Sequence, residues 1–167
     1  TFARVELVGE TWTLTSPDGT RARYTPSRRA AGTATSWMVS DVTDRQGRVV
    51  TYGRWCDGLA CFPRRIRYGA GKSCGELPDV PVGARVDGAL IQLHWESRPD
   101  QLEIGEAGAL IVIRQRLRSI EVRHGGALQR VYRLHYATTA LGANSVLTRV
   151  EEFGDDAVIT GDGEVLG

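Results

Sequence analysis

The sequence has few cysteines and histidines and almost no lysine. Three cysteines and three histidines are spread over 167 residues, and Lys72 is the only lysine among 21 basic residues. A structural zinc site needs four closely spaced ligands, and the chain has no Cys-x2-Cys pair and no pair of neighbouring histidines. We therefore expect no metal site and no metal cofactor.

The sequence also lacks long apolar runs and an excess of charge of either sign. No stretch of about 18 apolar residues is present, so we expect no membrane-spanning segment. The formal net charge is +1, which predicts no bulk attraction to nucleic acid. No secretory apolar core is visible in residues 1–7. With 41% hydrophobic and 25% charged residues, the composition is globular, and we predict one domain over residues 1–167.

Short alternating segments rich in Val, Ile, Thr, Tyr and Trp recur along the chain, separated by Gly, Asp, Asn or Pro. This pattern predicts an all-β fold, an antiparallel meander of roughly ten strands arranged as a strip or a sandwich. Residues 37–43 and 48–54 are predicted to pair around a turn at 44–47. We expect an exposed loop at residues 25–35, irregular structure at 69–88 and an alternating strand at 89–96.

The cysteines leave two interpretations open. Cys56 and Cys61 flank Asp-Gly-Leu-Ala, and a tight loop could bridge them in a disulfide worth about 2 kcal/mol. Free buried thiols are the alternative. Because the count is odd, at least one cysteine stays outside any internal pairing, and Cys74 is the most distant of the three in sequence.

No motif of an active site is present, and we expect no catalytic residues, no organic cofactor and no enzyme. The chain contains no Gly-x-Ser-x-Gly elbow, phosphate-binding loop or His-Glu-x-x-His. His94 and His135 are the polar members of alternating strands and His124 sits at a turn, so pairing within the sheet is favoured over catalysis. Asp155, Asp156 and Asp162 could ligate calcium, but acidic residues beside glycine are commoner in turns.

The tryptophans offer an alternative function. Trp12, Trp37, Trp55 and Trp95 lie on predicted strands, where large rings usually fill a buried face. If exposed instead, they could stack against sugars, which would make the chain a carbohydrate- or cell-surface-binding module. Arginines at 64, 65 and 67 and at 114, 116 and 118 form a basic pattern that we expect Glu121 and neighbouring strands to neutralise.

Several short sequence segments, which we term phrases, resemble one protein family when taken in their order along the chain. Turns rich in Asp and Gly repeatedly precede a strand that carries tyrosine, as in Asp18-Gly19 before Tyr24. The ordered phrases resemble the amino-terminal domain shared by the Salmonella plasmid-virulence B protein and the B component of insecticidal toxin complexes, and some are similar to YD (Rhs) repeats. They lie at residues 2–6, 11–24, 37–52, 66–69, 116–120, 130–136 and 147–154.

The resemblance implies a non-catalytic structural module of a very large secreted bacterial toxin or virulence protein. In such proteins, β-strips build a hollow shell that encloses a toxic segment during delivery. The expected partners are other domains of the same chain or toxin-complex subunits, with glycan as the alternative. The family's Gly/Pro-rich opening region is missing and the chain ends early, so we expect a fragment or a reduced relative with open sheet edges. An ADP-ribosyltransferase, present in some members, is not expected because no Glu-x-Glu pair occurs.

Overall fold

The computed structural model describes residues 2–69, 88–106, 108–139 and 144–166 and contains only strands and turns in these ranges. Each strand is bounded by turn residues such as Gly, Asp and Pro, as the alternating sequence predicts. The strands are β1 (Arg4–Val8), β2 (Thr11–Thr15), β3 (Arg21–Ala30), β4 (Thr33–Thr43), β5 (Val49–Asp57), β6 (Ala60–Tyr68), β7 (Ala89–Glu106), β8 (Ala109–His124), β9 (Ala127–Thr138), β10 (Ser145–Phe153), β11 (Val158–Ile159) and β12 (Val165–Leu166).

The first ten strands form one antiparallel sheet in which every strand pairs with its neighbours in sequence, from β1 at one edge to β10 at the other. The last two strands form a separate hairpin. The sheet is open, because β1 pairs with β2 and β10 pairs with β9, and the two do not pair with each other. The predicted all-β meander is confirmed, and its form is a single long strip.

Two predicted segments are wrong in detail. The expected loop at 25–35 is the end of a hairpin, since β3 runs to Ala30 and β4 begins at Thr33. Ala31 and Gly32 make the turn, with φ of 48° and 85°, as the two-residue hairpin turns that follow the sheet twist require. Pro26 suggested a loop, but a register shift beside it accommodates the missing N–H donor within the strand.

The strand predicted at 89–96 is also longer than expected. β7 continues to Glu106, and its pairing with β8 is interrupted between Ser97 and Leu102. Pro99 and Asp100 lie in this interruption. Asp100 accepts a hydrogen bond of 2.5 Å from the backbone N–H of Ser145, so the irregular segment is tied to the start of β10.

A small core forms where the ends of two hairpins leave the sheet plane. β6 pairs with β7 only between residues 65–68 and 89–92, so beyond that point the two strands separate. The space between them is filled by Ala60, Phe62 and Ile111, with Trp55, Trp95 and Ile113 against them. This cluster anchors the β5–β6 hairpin on the β7–β8 hairpin.

The C-terminal hairpin lies against one face of the sheet. The hydroxyl of Ser119 donates a hydrogen bond of 2.6 Å to the carbonyl of Gly163, and Arg133 donates one of 3.1 Å to the carbonyl of Val165. Gly163 has a φ of 85°, and a Cβ on it would lie 2.2 Å from Cβ of His94. Only glycine fits at this point of closest approach.

Candidate functional site

One face of the sheet is apolar across most of its width. In an antiparallel sheet, directly opposed residues point to the same side, so the register defines each face. One row of opposed residues is apolar across the first seven strands and ends at His124 on β8. Its apolar members are Val5, Leu14, Ala22, Val42, Val50, Tyr68 and Ala89.

Neighbouring rows extend this surface, which we term the apolar face. Its further members are Leu7, Trp12, Tyr24, Val39, Tyr52, Ile66, Ile91, Val122, Leu93, Ile120, Tyr132, Leu134 and Val150. Of the members of both sets, only Ala89 is fully buried. Val5 is 60% exposed, Tyr68 42% and Val150 52%. The register also places the ion pair of Arg130 and Glu152 on this face, and the rest of the surface is apolar. An apolar surface of this kind typically marks a site of protein contact.

The opposite face, which we term the polar face, is more buried, and besides its polar side chains it carries the buried Leu90 and Val131. Asp41, Arg65, His94, Ser119 and Glu121 lie on it and are all buried. Such side chains tolerate burial only when they are paired, because an unpaired polar group loses its hydration without compensation. The ion pairs and hydrogen bonds on this face provide these partners.

Glu121 is the centre of the buried polar pairs. Nε2 of His94 lies 2.9 Å from a carboxylate oxygen of Glu121, and Arg123 contacts the other oxygen. Burial raises the pKa of Glu121, but hydrogen bonds from His94 and Arg123 outweigh burial and hold that pKa below its ordinary value. The carboxylate is therefore charged and fully partnered, which is the arrangement of a structural ion pair.

A second cluster lies on the same face near β10. Glu151 accepts contacts of 2.7 Å from Arg133 and 2.6 Å from His135. Hydrogen bonds from His135 and Arg133 lower the pKa of Glu151. These cross-strand pairs hold β9 and β10 in register.

The two edges of the strip expose apolar side chains as well as backbone. On β1, Leu7 is 50% exposed and Val8 75%. On β10, Val146 is 46% exposed and Leu147 47%. Soluble proteins usually protect edge strands with charges, proline or a covering loop, since an open edge accepts a further strand. The apolar face and the two edges together form the candidate interaction site.

Comparison with solved structures reveals the same fold in an effector protein and in one further chain. The chain superposes on the N-terminal domain of the effector protein SpvB from Salmonella typhimurium strain LT2 with a TM-score of 0.69 at 14% identity, covering 86% of this chain and 61% of that one. The strip has the SpvB N-terminal fold. It also superposes on a chain of the TcdB2-TccC3-Cdc42 crystal structure with a TM-score of 0.66 at 16% identity, covering 99% of this chain and 10% of that one.

The likeness to SpvB and to TcdB2-TccC3 confirms the resemblance expected from the ordered phrases, while the likeness to YD repeats stays a prediction. No protein-family model and no curated protein matches the sequence. The chain spans about three fifths of the SpvB chain and a tenth of the TcdB2-TccC3 chain that it matches. The similarity therefore concerns one part of each of these longer chains.

The four tryptophans lie in two separate places. Trp12 and Trp37 meet edge to face, with ring centroids 6.3 Å apart and planes at 78°. Trp55 and Trp95 lie on either side of Phe62, at centroid distances of 5.4 and 4.7 Å. All four are half-buried. The structure does not bring them together into one flat platform.

A disulfide joins Cys56 and Cys61, which are directly opposed on β5 and β6 near the tip of their hairpin. Their Cα atoms are 4.0 Å apart. Of the two interpretations of these cysteines, the structure contains the bridge. Cys74 lies outside the described residues.

The remaining candidates for chemistry occupy structural positions. Asp162 accepts hydrogen bonds from Thr160 and from Arg118, the latter at 2.8 Å. The other acidic residues considered for calcium, Asp155 and Asp156, are exposed in a turn after β10. Across the described ranges, no three His, Cys, Asp or Glu residues are placed to hold a metal ion. Likewise, no helix in those ranges is long and apolar enough to cross a membrane.

The arginines at 116 and 118 pair with neighbouring elements, as expected, but not with Glu121. Glu121 does not contact the arginines at 114, 116 and 118, because it is engaged with His94 and Arg123. Instead Arg116 lies 2.6 Å from Glu96. Arg118 reaches the C-terminal hairpin. No local pattern predicts this hairpin contact, since it joins residues 44 positions apart.

Proposed function

We propose that the chain is a non-catalytic structural module of a toxin-complex B-like protein. It contributes β-sheet to a shell that encloses a toxic cargo and helps to deliver it from the cell that makes it. The observation that carries the proposal is the open ten-stranded strip: within the described residues each edge strand pairs on one side only, and Val5, Leu7, Tyr68 and Val150 on the apolar face are exposed.

The distribution of burial supports a packing role. The ion pairs on the polar face stabilise the sheet from within, while the apolar face keeps exposed side chains at Val5, Leu7, Tyr68 and Val150. Burying apolar surface is worth roughly 25 cal/mol per Å², so covering these exposed side chains would add stability. A neighbouring domain or a continuing sheet would cover it.

The fold likeness supports the toxin context. SpvB is an effector protein, and the TcdB2-TccC3-Cdc42 crystal structure joins two toxin-complex components in its name. A module that recurs in both proteins would have a role common to them, which favours a structural role over a specific catalytic one. We propose extracellular delivery on the same ground.

The test compares one substitution in the isolated chain and in the complete protein. Tyr68→Lys places a charge on the apolar face at a position that is 42% exposed, so the isolated chain should lose less than about 1 kcal/mol of stability. In the complete protein, the same charge would be buried at a domain contact. We expect the enclosed segment to become sensitive to protease.

Gln129→Lys, at an exposed position on β9, is the matched control and should leave protease resistance unchanged. Equal protease sensitivity of the Tyr68→Lys protein and the control would contradict the proposal. A complete protein with no protease-resistant segment would contradict it as well.

A carbohydrate-binding module is the second candidate. An open cleft of about 260 Å³ is lined by both Trp55 and Trp95, with Gln92, His94 and Asp162 among the polar neighbours. Aromatic rings beside hydrogen-bonding groups are typical of sugar sites. Retention on a glycan array that is lost in Trp55→Ala but kept in Trp12→Ala would favour this candidate over the shell.

A further inference from the structure

We propose that the two edges of the sheet are complementary to each other, so that β1 of one copy adds to β10 of a second copy as an antiparallel strand. The inference rests on the proposed function in one respect, namely that both edges are open to a further strand. It goes beyond that function by naming the occupant of each edge.

The number of strands permits this addition. The strip contains ten antiparallel strands, so β10 runs opposite to β1. A β1 strand placed beside β10 of another copy therefore continues the antiparallel alternation without turning the added copy over. The apolar faces of the two copies then lie on the same side, as they would in one longer sheet.

One register matches both faces at once. Val5 and Val150 both lie on the apolar face, since Val5 opposes Leu14 and Val150 opposes Leu134. When Val5 is set opposite Val150, the residues on either side of each valine lie on the polar face and also become opposed.

The charges on the polar face are complementary in this register. Arg4 comes opposite Glu151, which pairs with Arg133, His135 and Arg149 within its own chain and would gain a further basic neighbour. Glu6 comes opposite Arg149, which forms the second pair. Each strand edge thus presents a basic and an acidic residue in the order that the other edge requires, and directly opposed pairs of opposite charge stabilise a sheet.

The neighbouring registers are disfavoured. A shift by two residues in one direction places Glu6 opposite Glu151. A shift by two in the other direction places Arg4 opposite Arg149. A shift by a single residue would place the apolar face of one copy against the polar face of the other. Like charges directly opposed destabilise pairing, so the charge pattern selects the register that aligns the valines.

The contact uses two different edges, so it is heterologous. Each added copy leaves one β1 and one β10 edge free, and the assembly grows until it closes into a ring or continues as a filament. The predicted species are therefore larger than a dimer and increase with protein concentration.

Cross-linking tests the register directly, in a Cys74→Ser background. Opposed residues have Cα atoms about 4.5–5.5 Å apart, which a disulfide can span. Mixing the Val5→Cys chain with the Val150→Cys chain under mild oxidation should give a covalent dimer containing one copy of each. The Val8→Cys chain, which carries its thiol on the same strand but outside this register, should give none with Val150→Cys.

Exchanging the charges of β1 tests the pairing of charges. Arg4→Glu with Glu6→Arg keeps the net charge and the local contact between these two residues, 2.6 Å in the structure, but sets like charges against β10. Sedimentation should show association about tenfold weaker or more, since two favourable pairs become unfavourable. The matched control exchanges another exposed ion pair, Glu10→Arg with Arg29→Glu, and should associate like the unmodified chain.

A chain that stays monomeric at its highest soluble concentration would overturn the inference, and so would equal cross-linking of Val5→Cys and Val8→Cys. Neither result would touch the proposed function, whose test is protease protection in the complete protein. If the complete protein shows no protease protection but the Val5→Cys and Val150→Cys chains still cross-link, the proposed function fails and the edge pairing stands.

Discussion

Replacing Gly163 should release the C-terminal hairpin from the sheet. Gly163 has a φ of 85°, and a Cβ there would lie 2.2 Å from Cβ of His94. In Gly163→Ala, the positive φ costs about 1–2 kcal/mol for a residue with a side chain. Loss of the hydrogen bond from the buried Ser119 hydroxyl adds about 1 kcal/mol. We expect a total of about 2–3 kcal/mol.

Gly161→Ala is the matched control, because a Cβ at Gly161 meets nothing within 4 Å and that residue has no positive φ. Its stability should change by no more than about 0.5 kcal/mol. Hydrogen exchange is the suitable assay, since it reports whether residues 158–166 open locally while the sheet stays protected. If Gly163→Ala and Gly161→Ala show the same exchange in this segment, the reasoning from close approach is refuted.

Two further predictions concern the ion pairs and the disulfide. The folded-state pKa of Glu121 is lowered, so its pairing with His94 and Arg123 stabilises the fold above the unfolded pKa near 4.5. This stabilisation is lost as the pH falls below that value. Glu121→Gln should therefore flatten the fall in unfolding free energy that urea titration measures between pH 7 and pH 3. Replacing Cys56 and Cys61 together by alanine should lower the unfolding free energy by about 2 kcal/mol, the chain-entropy value for so short a loop, and an unchanged urea midpoint would contradict the contribution of the bridge.

The strands were predictable where alternation and turn chemistry agree. The hairpin around 44–47 was predicted, and its turn follows from Asp44, whose carboxylate accepts hydrogen bonds from the backbone N–H groups of Gln46 and Arg48. The parts of β3 and β7 that contain Pro26 and Pro99 were not predicted as strand. Pro26 and Pro99 both lie at register shifts, where a strand tolerates the absence of a donor, and local sequence does not reveal which prolines are so placed.

The apolar face was only partly visible in the sequence. Each strand alternates, so the sequence predicts that one side of each is apolar. Which side faces which neighbour depends on register, and the shifts between Arg23 and Tyr24 or between His94 and Trp95 cannot be read from composition. The burial of the polar face was not expected either, because Glu121, His94 and Ser119 meet across strands and under a hairpin that follows them in the chain.

The most direct test of the account is hydrogen exchange of the edge strands in the isolated chain, at low concentration, and in the complete protein. The account predicts that the outward-facing amides of β1 (Arg4–Val8) and β10 (Ser145–Phe153) exchange quickly in the isolated chain and slowly in the complete protein, where a further strand covers each edge. Equally fast exchange of both strands in the two samples would contradict the claim that this strip is built into a larger sheet.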